Sequence, residues 1–323
     1  MKAEKLLSNY FFELSQLLHT KLPKDNLYKP ISYIFNLGGK SIRPFFLLYA
    51  YKIFGGKGKE INQIALALES LHNFSLIHDD VMDNAEKRRG KLTVQKKWSE
   101  NAAILSGDAL LIICFQILNK ISSKNKNKIL KEFIDSSLKI CEGQQIDLEM
   151  ENRMVINKDE YFNMIKLKTA ALFVFCFKMG CYLAGGSLKN QRLMEKIGLQ
   201  IGLLFQIQDD YLDFFGNKKV GKKIGQDVLE NKKTFLFCEL LECANKKDKK
   251  EFISNYNSKD TDPISKIKYV KRVFKKYEIK NKILQNISRT NNVISSLINE
   301  LSISKKNKEY FIKYIYKLSN RTN

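Results

Sequence analysis

Apolar residues recur along this chain at three- and four-residue intervals almost from end to end. "YFFELSQLL", "INQIALALESLHNFSLIH", "GDALLIICFQILNKI" and "KIGLQIGLLFQIQDDYLDFF" each place their large side chains on one face of a 3.6-residue helix. No run alternates apolar and polar positions well enough to predict a strand. Turn signals separate the periodic segments at "FNLGGKS" (35–41), "FGGKGK" (54–59), "NAEKRRGKL" (84–92), "SSKNKNK" (122–128), "AGGSLKN" (184–190) and "FGNKKVGKKIGQ" (215–226). The connections are short, as between neighbouring antiparallel helices. Only 4 prolines interrupt the chain, and no linker divides it. Lysines multiply after residue 244, yet "VISSLINELSI" and "YFIKYIYKL" keep the helical period. The tail therefore predicts packed helices with a solvated face, and the whole pattern predicts one all-α domain over residues 1–323.

Composition changes this picture little. Hydrophobic residues make up 44% of the 323, enough for a sizeable core. The N-terminal stretch carries acids and no long apolar run, so it does not read as a secretory signal. The longest apolar run, "AALFVFCF" (170–177), is too short to span a bilayer, and the expected location is cytoplasmic. The 6 cysteines form no CxxC pair and sit mostly in apolar segments, which predicts buried free thiols. The net charge of +22 raises the question of nucleic acid. Lysine supplies 48 of the 56 basic residues, scattered and often beside asparagine, with no aromatic platform among them. A compositional bias explains the charge better than a binding groove, and an anionic small substrate is the expected partner.

Two acidic clusters carry the chemistry. "HNFSLIHDDVMDNAEKRRGK" (72–91) ends an apolar helix with Asp79, Asp80 and Asp83, and Arg88-Arg89 follow. On a helix, Asp79 and Asp83 lie one turn apart on one face, with Cβ atoms about 6 Å apart, and repel each other. "FQIQDDYLDFFG" (205–216) repeats the arrangement with Asp209, Asp210 and Asp213, and Gln206 shares their face. Gly198 and Gly202 allow close approach of a neighbouring helix. One such cluster is commonly a solvated helix end; two of them, each closing an apolar helix, point to metal. Carboxylates suit Mg²⁺, which is held by one or two of them plus substrate phosphates. Arginines and lysines in flanking loops would complete a diphosphate cradle, because guanidinium forks match phosphate oxygens. His72 lies two turns before Asp79 and so on the same face.

At this point the chain resembles the trans-type polyprenyl (isoprenyl) diphosphate synthases, over roughly residues 30 to 240. "GGKSIRP" (38–44) resembles the family's first basic motif, "LIHDDVMDNAEKRRG" its first aspartate-rich motif and "FQIQDDYLD" its second. "GQQID" (143–147), "KLKTAALF" (166–173) and "GKKIGQDVLENKKT" (221–234) resemble its GQxxD helix, its Lys-Thr element and its basic loop. Class I terpene cyclases share DDxxD, but they lack the GGKxxRP site and differ in the second metal motif.

The resemblance implies the isoprenoid synthase type I fold, a bundle of roughly ten or more helices around a central apolar cavity. It also implies about three Mg²⁺ ions per site with diphosphate bound. By the same resemblance Asp79 and Asp83, assisted by Asp80, would ligate Mg²⁺, and Asp209 another ion, supported by Asp210 and Asp213. Arg88, Lys168, Lys222 and Lys232 would contact the allylic diphosphate (dimethylallyl, geranyl or farnesyl). Lys40, Arg43, His72 and Arg89 would bind isopentenyl diphosphate. Thr169 and Gln206 would lie beside the allylic cation. Asp147 and Gln144 read as supporting residues rather than ligands. Ser41-Ile42 and Asn231 depart from common family residues without removing a metal ligand. The implied reaction is head-to-tail prenyl transfer by a homodimer, with departed diphosphate as the base. Of the two residues five and four before the first aspartate, Phe74 and Ser75, the bulk of Phe74 implies a short product, C15 or C20. A longer-chain synthase, or the non-catalytic subunit of a heteromeric one, is the alternative.

Overall fold

The computed structural model describes residues 3–216, 225–258 and 262–319, without the side chains of residues 3–5 and 21. By internal contacts the chain forms two compact units, each assembled from two stretches: residues 1–138 with 172–198, and residues 139–171 with 199–323. Both are helical, as the sequence pattern predicts.

The first unit contains α1 (Ala3–Gln16), α2 (Lys29–Asn36), α3 (Ile42–Ile53), α4 (Ile61–Met82), α5 (Val94–Lys97), α6 (Glu100–Asn119) and the start of α7 (Lys126–Glu151). From further along the chain it adds nearly all of the helix Ala171–Leu183 and the beginning of the helix Leu188–Phe215. α4 is its centre. Fourteen of its 22 residues are buried, so it is apolar nearly all round. Gly107 of α6 faces the His78 ring, which a Cβ there would strike, and this lets α4 and α6 pack closely. Gly180 rests against the Leu47 carbonyl oxygen, 2.6 Å from where its Cβ would stand. Beside it Phe46 meets Phe173 and Phe177 with ring centroids 6.0 and 4.7 Å apart. Such rings contribute roughly 1.5–3 kcal/mol each on burial. Ser99 starts α6, its side chain accepting from the Ala102 amide, with Glu100 in the first turn complementing the helix dipole.

Two local features depart from the sequence reading. The turn signal at 84–92 is a miniature hairpin, Lys87–Arg88 paired antiparallel with Lys91–Leu92. Arg89 and Gly90, with φ of 53° and 77°, form its two-residue turn. In addition α6 is, by length and composition alone, long and apolar enough to cross a membrane. Asp108 lies within it and its inner face packs on α4, while Leu105 and Ile112 on the outer face are each 59% exposed.

The second unit begins with the rest of α7 and α8 (Lys158–Ile165), which a capping box between Asn157 and Glu160 initiates. A π-helical turn, Lys166–Ala170, links α8 to α9 (Ala171–Leu183). From residue 199 onward α10 (Leu188–Phe215) belongs to this unit, followed by α11 (Gln226–Leu229), α12 (Phe235–Cys243), α13 (Lys246–Asn257), α14 (Pro263–Lys276), α15 (Ile279–Glu300) and α16 (Lys305–Ser319). The lysine-rich tail is packed helix, as its periodicity predicts. Ile279, Ile283, Ile287, Ile294 and Ile298 form the buried stripe of α15. Gln208 of α10 donates to the Ser319 carbonyl at 2.7 Å and ties the chain's last helix to the second aspartate helix. Pro263 at the first turn of α14, after the Asp262 cap, starts that helix without costing a backbone donor. Four of the six cysteines are buried, as expected, but Cys141 is exposed.

Candidate active site

The first cluster sits where α4 ends. Asp83 caps the helix, its amide donating to the Asp79 carbonyl at 2.8 Å. A helix C-terminus carries partial negative charge, so carboxylates there add to it and favour a cation. Asp79 and Asp83 are half-buried. Asp80 is 1% exposed, and Arg88 grips it from the hairpin: Nε donates at 3.0 and 2.8 Å to its two oxygens, and Nη2 lies 2.8 Å from Oδ1. Burial alone would lower the Arg88 pKa, but Asp80, with Asp79 and Asp83 behind it, holds it above its ordinary value. The Gln95 amide takes the Asp80 carbonyl at 2.6 Å and fixes the same corner.

Arg43, His72 and Arg89, proposed for isopentenyl diphosphate, lie close to one another near this cluster. Arg43 Nη1 and His72 Nε2 are 2.9 Å apart. Arginine only donates, so Nε2 accepts and the imidazole is neutral with its proton on Nδ1. Burial and the Arg43, Arg89 and Arg88 charges agree, holding the His72 pKa well below its usual value. The Arg43 guanidinium also covers the Phe173 ring, 5.0 Å from its centroid. Gly39 has φ +157°, and a Cβ there would come within 2.9 Å of the Arg89 guanidinium. Glycine is needed at that position because the backbone forms the floor under Arg89. Lys40 follows on the same loop, and Ser41, at φ 42°, turns the chain into α3.

Sequence reasoning missed Glu69 in this group. It is buried, and its pKa is raised by burial against the opposing pull of Arg43 and Arg89. It is the one acid inside "INQIALALESLHNFSLIH" before the aspartates, three residues ahead of His72 and therefore on its face. That isolated acid was the available signal.

The second cluster ends α10. Asp209 is exposed, whereas Asp210 is 4% exposed and engaged on both oxygens. Tyr161 Oη and the Phe235 amide donate to Oδ2, both at 2.8 Å, and Gln206 Nε2 donates to Oδ1 at 3.0 Å. Burial and the Asp227 charge still push Asp210 up to about 7. Gln206 in turn accepts from Thr169 Oγ1 at 2.8 Å, so Thr169, Gln206 and Asp210 form one chain of hydrogen bonds. Thr169 and Lys168 lie in the π-helical turn, a feature that recurs at functional sites because it re-aims side chains. The Lys168 ammonium is 2.6 Å from Asp147 Oδ2. Gly143, in the same helix as Asp147, presses on the Lys168 backbone where any Cβ would collide. Asp147 thus pairs with Lys168 from the neighbouring helix. The Asp213 backbone carbonyl accepts from the Gly225 amide at 2.8 Å and its carboxylate from the Asp227 amide at 3.2 Å, anchoring the segment that carries Lys232. Lys232 has Glu230 at 3.6 Å. Lys222 lies outside the described residues.

In each cluster, then, the middle aspartate is buried and bound by the protein's own donors, and the outer ones are more exposed. Among the described residues no three His, Cys, Asp or Glu side chains converge on one metal position. This donor set fits Mg²⁺ held by one or two carboxylates at a helix C-terminus, with diphosphate and water completing the octahedron.

Residues 24–274 match the family model described as polyprenyl synthetase. A short chain isoprenyl diphosphate synthase of Methanothermobacter thermautotrophicus is 39% identical over 238 residues, 73% of each chain. A geranylgeranyl diphosphate synthase of Sulfolobus acidocaldarius is 37% identical over 253 residues, 75% of this chain and 77% of that one. The crystal structure of a geranylgeranyl pyrophosphate synthase matches with a TM-score of 0.92 over 100% of both chains at 35% identity. That of a geranylgeranyl pyrophosphate synthetase from Pyrococcus horikoshii matches at 0.88 and 30% identity, covering 99% of this chain and 97% of that one. The chain belongs to the polyprenyl synthetase family and, with it, to the prenyltransferases.

Proposed function

We propose that this enzyme is a Mg²⁺-dependent synthase condensing isopentenyl diphosphate head-to-tail with an allylic diphosphate, and that its product is short, C15 or C20. The observation that carries the reading is the pair of carboxylate-rich helix ends. In each, the middle aspartate is buried and held by the protein's own donors, and the outer ones are more exposed. Bound Mg²⁺ supplies charge neutralisation of the departing diphosphate. Asp79, Asp83 and Asp209 hold the ions, with Asp213 bracing the following segment. Asp80 and Asp210 fix the geometry by locking Arg88 and the Thr169–Gln206 chain. Lys168, Lys222, Lys232 and Arg88 orient the allylic diphosphate. Lys40, Arg43, Arg89 and the neutral His72 bind isopentenyl diphosphate, with Glu69 balancing the guanidiniums from behind. Thr169 and Gln206 offer oxygen dipoles beside the developing cation, and apolar helices exclude water from it.

Relatives named short-chain isoprenyl, geranylgeranyl and geranylfarnesyl diphosphate synthases favour a short product. So does Phe74, which is buried beside His78 with ring centroids 4.6 Å apart and adds bulk one turn before Asp79. The enzyme works in the cytoplasm as a homodimer. Leu105 and Ile112 of α6, with Ile134 and Leu138 of α7, supply exposed apolar surface for that interface.

The two substrate assignments separate kinetically. Arg89→Ala should raise KM for isopentenyl diphosphate by about tenfold or more, the loss of one charge-assisted contact of roughly 1.5–3 kcal/mol. Asp83→Ala should act on kcat and on the allylic substrate. Equal impairment of both substrates by both variants would refute the assignment.

A further inference from the structure

Among the described lysines only two are buried, Lys233 and Lys266, each 4% exposed. Burying an ammonium costs free energy unless something specific receives it. Neither is paired with a carboxylate among the described residues. Both donate instead to one residue, Asn231. Lys266 Nζ reaches the Asn231 side-chain oxygen, with a second bond to the Ser258 carbonyl at 3.2 Å, and Lys233 Nζ takes the Asn231 carbonyl at 2.8 Å. The Tyr256 ring lies beneath both ammoniums, with centroid distances of 5.8 and 5.6 Å. Its hydroxyl donates to the Lys232 carbonyl at 2.6 Å. Asn231 itself has φ 60°, the left-handed region that few residues other than glycine and asparagine adopt. Six residues upstream, at the start of α11, Gly225 packs on Ile267 of the same helix, α14, as Lys266.

We infer that Lys266 is a positioning residue: by gripping Asn231 from α14, it fixes the strained turn that aims Lys232 at the allylic diphosphate. The inference rests on the role proposed above for Lys232. Physically, the turn between α11 and α12 has one residue in a left-handed conformation and next to it the functional lysine. The long flexible Lys232 side chain gains affinity only if its backbone is already placed, because ordering it on binding costs affinity. The Lys266 bond to Asn231 and the Tyr256 bond to the Lys232 carbonyl fix that backbone on both sides of the peptide link.

Steady-state kinetics with geranyl diphosphate and isopentenyl diphosphate test this, each variant first shown to be folded by circular dichroism. Lys266→Met should raise KM for geranyl diphosphate about tenfold, leave KM for isopentenyl diphosphate within about twofold, and be largely rescued by Lys266→Arg. Asn231→Gly, which keeps the positive φ but removes the acceptor, should act in the same direction and abolish any further effect of Lys266→Met. It also serves if Lys266→Met fails to fold. In a Lys232→Ala background, Lys266→Met should change KM for geranyl diphosphate by less than about twofold. An unchanged KM in folded Lys266→Met, an equal rise for both substrates, or an undiminished effect in the Lys232→Ala background would each overturn the inference. A normal KM for geranyl diphosphate in Lys232→Ala alone would instead remove Lys232 from the site, and the anchor would lose its purpose.

Discussion

Asp80 gives both carboxylate oxygens to Arg88, so its removal leaves a largely buried guanidinium without its counter-charge. Asp80→Ala should therefore cost about 3 kcal/mol of folding stability, the lower end of the range for a broken buried pair, since Arg88 keeps 25% of its side chain exposed. Asp79→Ala and Asp209→Ala should leave stability nearly unchanged and lower turnover by orders of magnitude. Urea denaturation beside activity measurements checks this contrast; a destabilised Asp79→Ala with normal turnover would reverse the roles. Asp210 offers a second test. Burial and Asp227 raise its pKa from 3.8 to about 7, so the folded, metal-free protein binds a proton there more tightly than the unfolded chain. Its stabilising contribution is complete below about pH 4 and is lost as pH rises through 7, an effect of about 2–4 kcal/mol. Asp210→Asn should flatten that part of the stability profile. A wild-type profile rising from pH 4 to 7 as steeply as that of the variant would contradict it. In the sequence, spacing pairs Asp79 with Asp83 and the resemblance gives Asp80, Asp210 and Asp213 an assisting part, but burial of the middle aspartates is not visible there. The division of each cluster into outward and inward groups depends on partners such as Arg88 and Tyr161, 8 and 49 residues away along the chain.

The long helices α4 and α10 were legible in the sequence because burial on one or more faces forces apolar spacing. The hairpin at 87–92 was not. Its strands are two residues each, too short to show alternation, and its shape comes from positive φ at Arg89 and Gly90 and from the Tyr33 hydroxyl donating to the Leu92 carbonyl. The π-helical turn at Lys166–Ala170 was equally silent, since an inserted residue leaves no hydropathic trace. Through Gly39 the GGK loop supports an arginine of this hairpin. Gly39→Ala would strain the backbone at φ +157° and push the Arg89 guanidinium aside. We expect KM for isopentenyl diphosphate to rise by about tenfold while KM for the allylic substrate changes little. An Arg89-independent loop would show no change.

For the molecule as a whole, helical periodicity, two DDxxD clusters and the basic motifs were enough to indicate an all-α prenyl synthase, and the family match over residues 24–274 agrees. The hydropathy pattern could not show that the contacts divide into two discontinuous units, because α7 and α10 run through the division without a break in their spacing. Nor could it set product length, which depends on what surrounds Phe74 in three dimensions. Elongation by the purified protein decides whether this chain is a prenyl diphosphate synthase of short products. It would be incubated with radiolabelled isopentenyl diphosphate and dimethylallyl, geranyl or farnesyl diphosphate, with Mg²⁺ or with chelator, and the dephosphorylated products separated by chromatography. The expected products are Mg²⁺-dependent C15 or C20 prenols, lengthened by at least one isoprene unit in Phe74→Ala. No elongation of any primer in the presence of Mg²⁺, or elongation undiminished by chelator, would contradict this.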